Sequence, residues 1–157
     1  SPVSLAQTAQ ARANGVSCFR LQDAAGSGYE AVLQALRQKG CAVVASAFDE
    51  ADIRANNAAG MTAASVAAVL GGLAHRVMGA CRCGLYVIGG DTLMAVIQAL
   101  GTCAIVPAFE ASSGVVACTL AQADEERLLV TKSGSFGGAD AITDVLSQYA
   151  APLNEPF

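Results

Sequence analysis

Glycine closes one apolar run after another along this chain, and each closure separates a helix-patterned segment from a short β-type segment. In residues 3–14, Leu5, Ala9 and Ala13 share one helical stripe, and Gly15 is placed to stop the helix in a left-handed turn. Residues 16–21 then read as a strand. Gly26, Ser27 and Gly28 form a turn into a second helix, where Ala31, Val32, Ala35 and Leu36 recur at helical spacing before Gly40 and the β-type run 41–47.

The same punctuation continues. A loop with Asp49, Glu50 and Asp52 precedes a long alanine-rich helix over 61–78, whose core stripe is Val66, Val69, Leu70, Leu73 and Val77. A strand over 85–88, a helix over 93–100, extended segments over 102–108, 115–120 and 128–131, and a last helix over 139–150 complete the pattern. Helix and strand alternating in this way predict an α/β fold: a three-layer sandwich in which a mostly parallel mixed sheet is covered by helices on both faces. One domain over 1–150 is expected, with 151–157 as a tail.

Composition narrows the function classes. Of 157 residues, 14% are charged, against roughly 25% in an average soluble domain, so the chain carries too little polarity for a long disordered segment. The longest uncharged stretches, 55–74 and 92–109, are broken by Asn56, Asn57, Gly60, Thr62, Gly101 and Pro107, so neither reads as the roughly 20 apolar residues of a membrane span. A net charge of −4, with no Lys or Arg between Cys83 and Glu126, argues against a nucleic-acid partner.

Six cysteines, at 18, 41, 81, 83, 103 and 118, are scattered without a CxxC pair, and His75 is the single histidine. That argues against a zinc centre, for which Cys81-Arg82-Cys83 alone is weak evidence, and reads as reduced, buried thiols of a cytoplasmic protein, with His75 structural or solvated. The chain opens Ser1-Pro2-Val3, without Met or a charged leader, which is expected of a processed product or of a part of something longer.

Two segments combine a strand end with unusual glycine content, the position where α/β sheets gather ligands. In the first, Ile88 runs into Gly89, Gly90, Asp91 and Thr92 and then a helix. Its glycines permit close backbone approach, and the helix start offers N–H donors. Asp91 and Thr92 could ligate Mg²⁺, or Asp91 could simply cap the helix. The second runs from Thr131 through Lys132, Ser133, Gly134, Ser135, Phe136, Gly137 and Gly138. One cation, two hydroxyls and several peptide N–H groups there suit a phosphate nest, or an ordinary surface loop. It is not a Walker A sequence, because the lysine precedes the glycines. Their co-occurrence favours a nucleotide phosphate. Glu110 faces a ligand cleft or is a solvated turn residue, and 124–127 reads as a hairpin turn.

The order of Ser1-Pro2-Val3, Gly89-Gly90-Asp91-Thr92 and Lys132-Ser133-Gly134-Ser135-Phe136-Gly137 resembles the C-terminal nucleotide-binding domain of the four-carbon acid sugar kinase family, which includes 3-oxo-tetronate kinases and proteins labelled Hrp-dependent type III effectors. The resemblance spans about residues 1–149. It implies ATP and Mg²⁺ as cofactors, with Gly89, Gly90, Asp91, Thr92, Lys132, Ser133, Gly134, Ser135, Phe136, Gly137 and Gly138 around the phosphates, Lys132 holding them, and Ser1 as a further contact. It also implies that the sugar-acid substrate and the catalytic base belong to an N-terminal domain that this chain lacks, so the chain alone binds without turnover and self-associates through an uncovered apolar face. Where the family usually has Glu followed by Pro-Gly-Val-Pro, this chain has Glu110-Ala111-Ser112-Ser113-Gly114-Val115-Val116, and Leu93-Met94 replaces small residues that would leave room for a ligand. A non-catalytic binding or interaction module is the alternative that these departures permit. A complete small enzyme has few candidate bases beyond Asp91 and Glu110.

Overall fold

The computed structural model describes residues 1–101, 104–122 and 125–150. Thr102 and Cys103 of the expected extended segment, Asp124 of the expected hairpin turn, and the expected tail at 151–157 lie outside the described residues. The described residues form seven helices and six strands in an open α/β arrangement, as the alternation predicts, and the strands fall in two sheets. Two compact units are present, one of Ser1–Met61 with the segment that begins at Gly138, the other of Thr62–Gly137.

The first unit holds α1 (Pro2–Ala13), β1 (Cys18–Arg20), α2 (Leu21–Ala25), α3 (Tyr29–Lys39), β2 (Val43–Ala45), α4 (Glu50–Ala58) and α7 (Ala141–Tyr149). β1 and β2 pair in parallel, with Phe19 opposite Val44. The expected strand over 16–21 is cut short because Leu21 opens α2 and turns fully inward. Gly26, Ser27 and Gly28 do form the expected turn, with Gly28 N–H donating to the Asp23 carbonyl at 2.8 Å. The segment expected as a loop at 49–52 instead starts α4, which buries no side chain and is held by polar contacts.

The second unit holds α5 (Ala63–Ala80), β3 (Leu85–Ile88), α6 (Gly90–Leu100), β4 (Ala104–Ser112), β5 (Val115–Gln122) and β6 (Glu125–Lys132). Its sheet runs β3-β6-β5-β4, parallel between β3 and β6 and antiparallel elsewhere. Met78 of α5, Val96 and Leu100 of α6, Val87, Cys118, Leu120 and Leu129 make one apolar core. Leu120 and Leu129 are buried almost completely, worth about 1.5–3 kcal/mol each in removal from water. α5 and α6 approach to backbone distance at Gly71, where an added methyl would lie 2.5 Å from the Ala95 carbonyl oxygen.

Three local expectations change in this unit. Glu110 is a residue of β4, not of a turn. Glu125, Glu126 and Arg127 belong to β6, and the Arg127 guanidinium donates to the Met78 and Cys81 carbonyls at 2.7 and 3.0 Å, which caps the C-terminus of α5. α5 is long and apolar enough to cross a membrane by length and composition, in a window that includes His75 and Arg76 and differs from the two stretches read from the sequence. Its Leu73, Val77 and Met78 are buried.

Of the described cysteines, Cys81 and Cys118 are buried and Cys18, Cys41 and Cys83 half-buried, all as free thiols. Burial raises the Cys18 and Cys41 pKa values, and a hydrogen bond with the Cys81 thiol, followed by burial, raises that of Cys83.

Candidate functional site

Parallel pairing of β3 with β6 sets Ile88 opposite Lys132, the last residue of each strand. Both glycine-bearing segments therefore leave the sheet side by side, at its carboxyl end, and Gly89 N–H donates to the Lys132 carbonyl at 2.8 Å. Two motifs far apart in sequence become neighbours through one register.

After β3 the backbone turns at Gly89, whose φ of 105° is open to glycine and strained for other residues. Gly89, and not Asp91, is the N-cap of α6, and among the described residues no side chain caps that helix. Leu93 N–H reaches back to the Gly89 carbonyl at 3.0 Å. The N–H groups of Gly90, Asp91 and Thr92 occupy the first turn, where no carbonyl four residues earlier is available. Gly90 is exposed, and beyond its chain neighbours and its own helix backbone no heavy atom of the described residues lies within 4 Å of where a Cβ would stand. Asp91 is exposed and Thr92 half-buried. Asp91 also lines an open groove of about 500 Å³ between α5 and α6, with Ala64, Ala68, Met94 and Gln98. Leu93 packs against the core and so leaves the turn uncrowded, whereas Met94 is exposed in the groove.

On the other side, residues 133 and 135–138 are exposed and Gly134 is half-buried. A tight turn is closed by Phe136 N–H donating to the Ser133 carbonyl at 3.3 Å, and the Ser133 and Ser135 hydroxyls approach to 3.5 Å. Phe136 is 53% exposed, and its ring lies against Gly114 at the β4–β5 turn, where an added methyl would come within 2.9 Å of it. Glu110 closes that same turn, its carboxylate accepting from Gly114 N–H at 2.9 Å. Lys132 differs from its neighbours in being 4% exposed, with Nζ donating to the Ser133 and Phe136 carbonyls at 2.8 and 2.7 Å. Burial holds its pKa below the ordinary lysine value.

The remaining candidates lie in the first unit or outside the loops. Ser1 caps α1, its hydroxyl accepting from Ser4 N–H at 3.3 Å. The Gly138 carbonyl accepts from the fully buried Gln7 amide at 2.9 Å. His75 is exposed on α5, and among the described residues no three metal-ligating side chains gather. A single exposed carboxylate at a helix start still suits Mg²⁺, which keeps most of its waters and takes its other ligands from substrate phosphates. Two features escaped the sequence reading: the Phe136–Gly114 contact and the burial of Lys132. Strand alternation carried a signal for the second, since Lys132 shares a face of β6 with Val130, itself 1% exposed.

The profile described as nucleotide-binding C-terminal domain matches residues 1–142. A Bordetella bronchiseptica protein described as a domain of unknown function, solved with citrate bound and as a domain-swapped dimer, is 30% identical over 92% of this chain and 35% of its own, with a TM-score of 0.69. A second crystal form of that protein aligns at 28% identity, over 89% of this chain and 37% of its own, with a TM-score of 0.59. A Haemophilus influenzae protein shares the fold at a TM-score of 0.70 and 18% identity, over 88% of this chain and 36% of its own. The chain thus spans about a third of the length of these structures. No curated protein matches it.

Proposed function

The chain belongs to the nucleotide-binding C-terminal domain of the four-carbon acid sugar kinase family, and from that premise we propose that it binds the phosphates of ATP between the α6 start and the 133–137 loop. The observation that carries this reading is the pairing of Ile88 with Lys132, which sets the two loops side by side. The N–H groups of Gly90, Asp91 and Thr92 and the positive end of the α6 dipole suit an anion. The Ser133 and Ser135 hydroxyls add donors from the other side. Asp91, with Thr92 beside it, would hold Mg²⁺ against the phosphates, and bound Mg²⁺ would neutralise charge that develops during phosphoryl transfer.

In the longer protein this domain would present ATP to a four-carbon sugar acid. The γ-phosphoryl group would pass to a substrate hydroxyl, ADP would leave, and the hydroxyl proton would go to a base outside this chain. A cytoplasmic setting, where MgATP is abundant, and self-association of the isolated domain follow from the same reading. Calorimetric titration of the folded chain with MgATP tests it. One saturable site is expected, weakened by Gly90→Val; heat of dilution alone from the folded chain would overturn the reading.

A further inference from the structure

We propose that Lys132 is a positioning residue, an internal clasp that shapes the 133–137 loop from behind, and that its ammonium does not contact the bound phosphate. The functional part of this inference rests on the nucleotide-binding reading above; the clasp itself does not.

Along β6, Val130 and Lys132 share one face, and their partners on β5 are Ala117 and Val115. All three of these apolar neighbours are 1% exposed. A lysine that leaves the sheet beside such neighbours is costly to bury unless its ammonium donors are used. Lys132 uses two of its three on the carbonyls of Ser133 and Phe136, the first and fourth residues of the turn that Phe136 N–H closes.

That choice of partners sets peptide directions. In a trans, planar peptide the C=O and the next residue's N–H point opposite ways. Drawing the Ser133 and Phe136 oxygens in toward Nζ therefore turns the N–H groups of Gly134 and Gly137 away from it, toward the outer side of the loop. The Phe136 ring against Gly114 pins the far end. Nζ has one donor beyond those two, so a phosphate could draw more than that from it only at the expense of the Phe136 carbonyl or of the Ser133 carbonyl, which Phe136 N–H also reaches. A lysine used purely as a phosphate ligand would keep its ammonium free for the ligand, whereas Lys132, 4% exposed as a residue, places Nζ on two carbonyls.

The chain has two lysines, Lys39 and Lys132, so the amine can be read directly. In the wild-type protein without nucleotide, acylation by a succinimidyl ester followed by peptide mass spectrometry should modify Lys132 at least about tenfold more slowly than the exposed Lys39. Equal reactivity would overturn the clasp. In Lys132→Met, amide hydrogen exchange over 133–137 should accelerate at least about tenfold while exchange in β5 is unchanged, with Lys132→Arg restoring part of the protection. Unchanged loop exchange in a folded Lys132→Met protein would overturn it as well, and the acylation result decides the matter where neither variant folds.

Nucleotide affinity separates the two roles. A clasp predicts that Lys132→Met weakens ATP and ADP by the same factor and leaves the salt dependence of binding unaltered. A phosphate ligand predicts a larger loss for ATP than for ADP and a shallower salt dependence, which would overturn the proposal. If the wild type binds no nucleotide, the functional reading fails, and acylation and loop exchange still decide whether Lys132 is a clasp.

Discussion

Two of the strand-to-helix junctions among the described residues, β2 to α4 and β3 to α6, are finished in opposite ways. At the first, Asp49 caps α4 by accepting from Asp52 N–H at 2.9 Å, Asp52 accepts from Phe48 N–H at 2.8 Å and from Arg20, and Asn56 donates to the Ser46 carbonyl at 2.8 Å. Arg12 and Arg20 then lie over the Phe48 ring at 4.6 and 5.0 Å. That junction is closed by its own side chains, with the Asp49 carboxylate already on a peptide donor of the helix start. At the second junction the cap is Gly89, no side chain among the described residues replaces it, and Gly90 opens onto empty space. A parallel strand end becomes an anion site only where the chain leaves the helix start unfinished. Of these two junctions, β3 to α6 alone meets that condition.

The support of α6 is the most sensitive point of the second junction. Gly71→Val places bulk where even a methyl meets the Ala95 carbonyl oxygen at 2.5 Å. It should destabilise the second unit by about 3 kcal/mol in denaturant unfolding; a variant as stable as the parent would contradict the close approach of α5 and α6.

Gly90→Val acts on the junction itself. It fills open space, so stability should hardly change, while ATP affinity should fall by tenfold or more, about 1.4 kcal/mol. Asp49→Ala is the counterpart at the closed junction. Loss of that cap should cost about 1 kcal/mol of stability with no change in ATP affinity, measured by thermal unfolding and calorimetry on the same sample.

The smallest effect is one of pH. The Phe48 N–H bond first, then the hydrogen bond and charge of Arg20, hold the Asp52 carboxyl below its ordinary value of 3.8. A depressed carboxyl pKa stabilises the fold above the unfolded-state value and loses that contribution as pH falls through the folded-state value. The first unit should therefore weaken below about pH 3.8, and Asp52→Asn should flatten that dependence in an acid titration followed by circular dichroism.

What the sequence made legible follows from how each element is held. β3 and β6 were readable because β-branched runs end at glycine or at a polar loop, and α5 and α6 because they carry apolar stripes. α4 was not, since it buries no side chain and is held by caps and an ion pair that only tertiary neighbours supply. Glu110 and Arg127 looked like turn residues because charge in a strand is unexpected until one is seen on an exposed edge strand and the other on the carbonyls of α5. Both glycine loops were legible as segments. Their adjacency was not, because parallel register between β3 and β6 is decided across a connection that holds a helix and two further strands.

The most direct test of the contrast between the two junctions is backbone amide chemical-shift mapping on titration with MgATP. The account predicts saturable shifts concentrated at residues 89–92 and 133–137, with those at 46–52 unmoved. Shifts centred on 46–52, or no saturable shift from a folded chain, would contradict it.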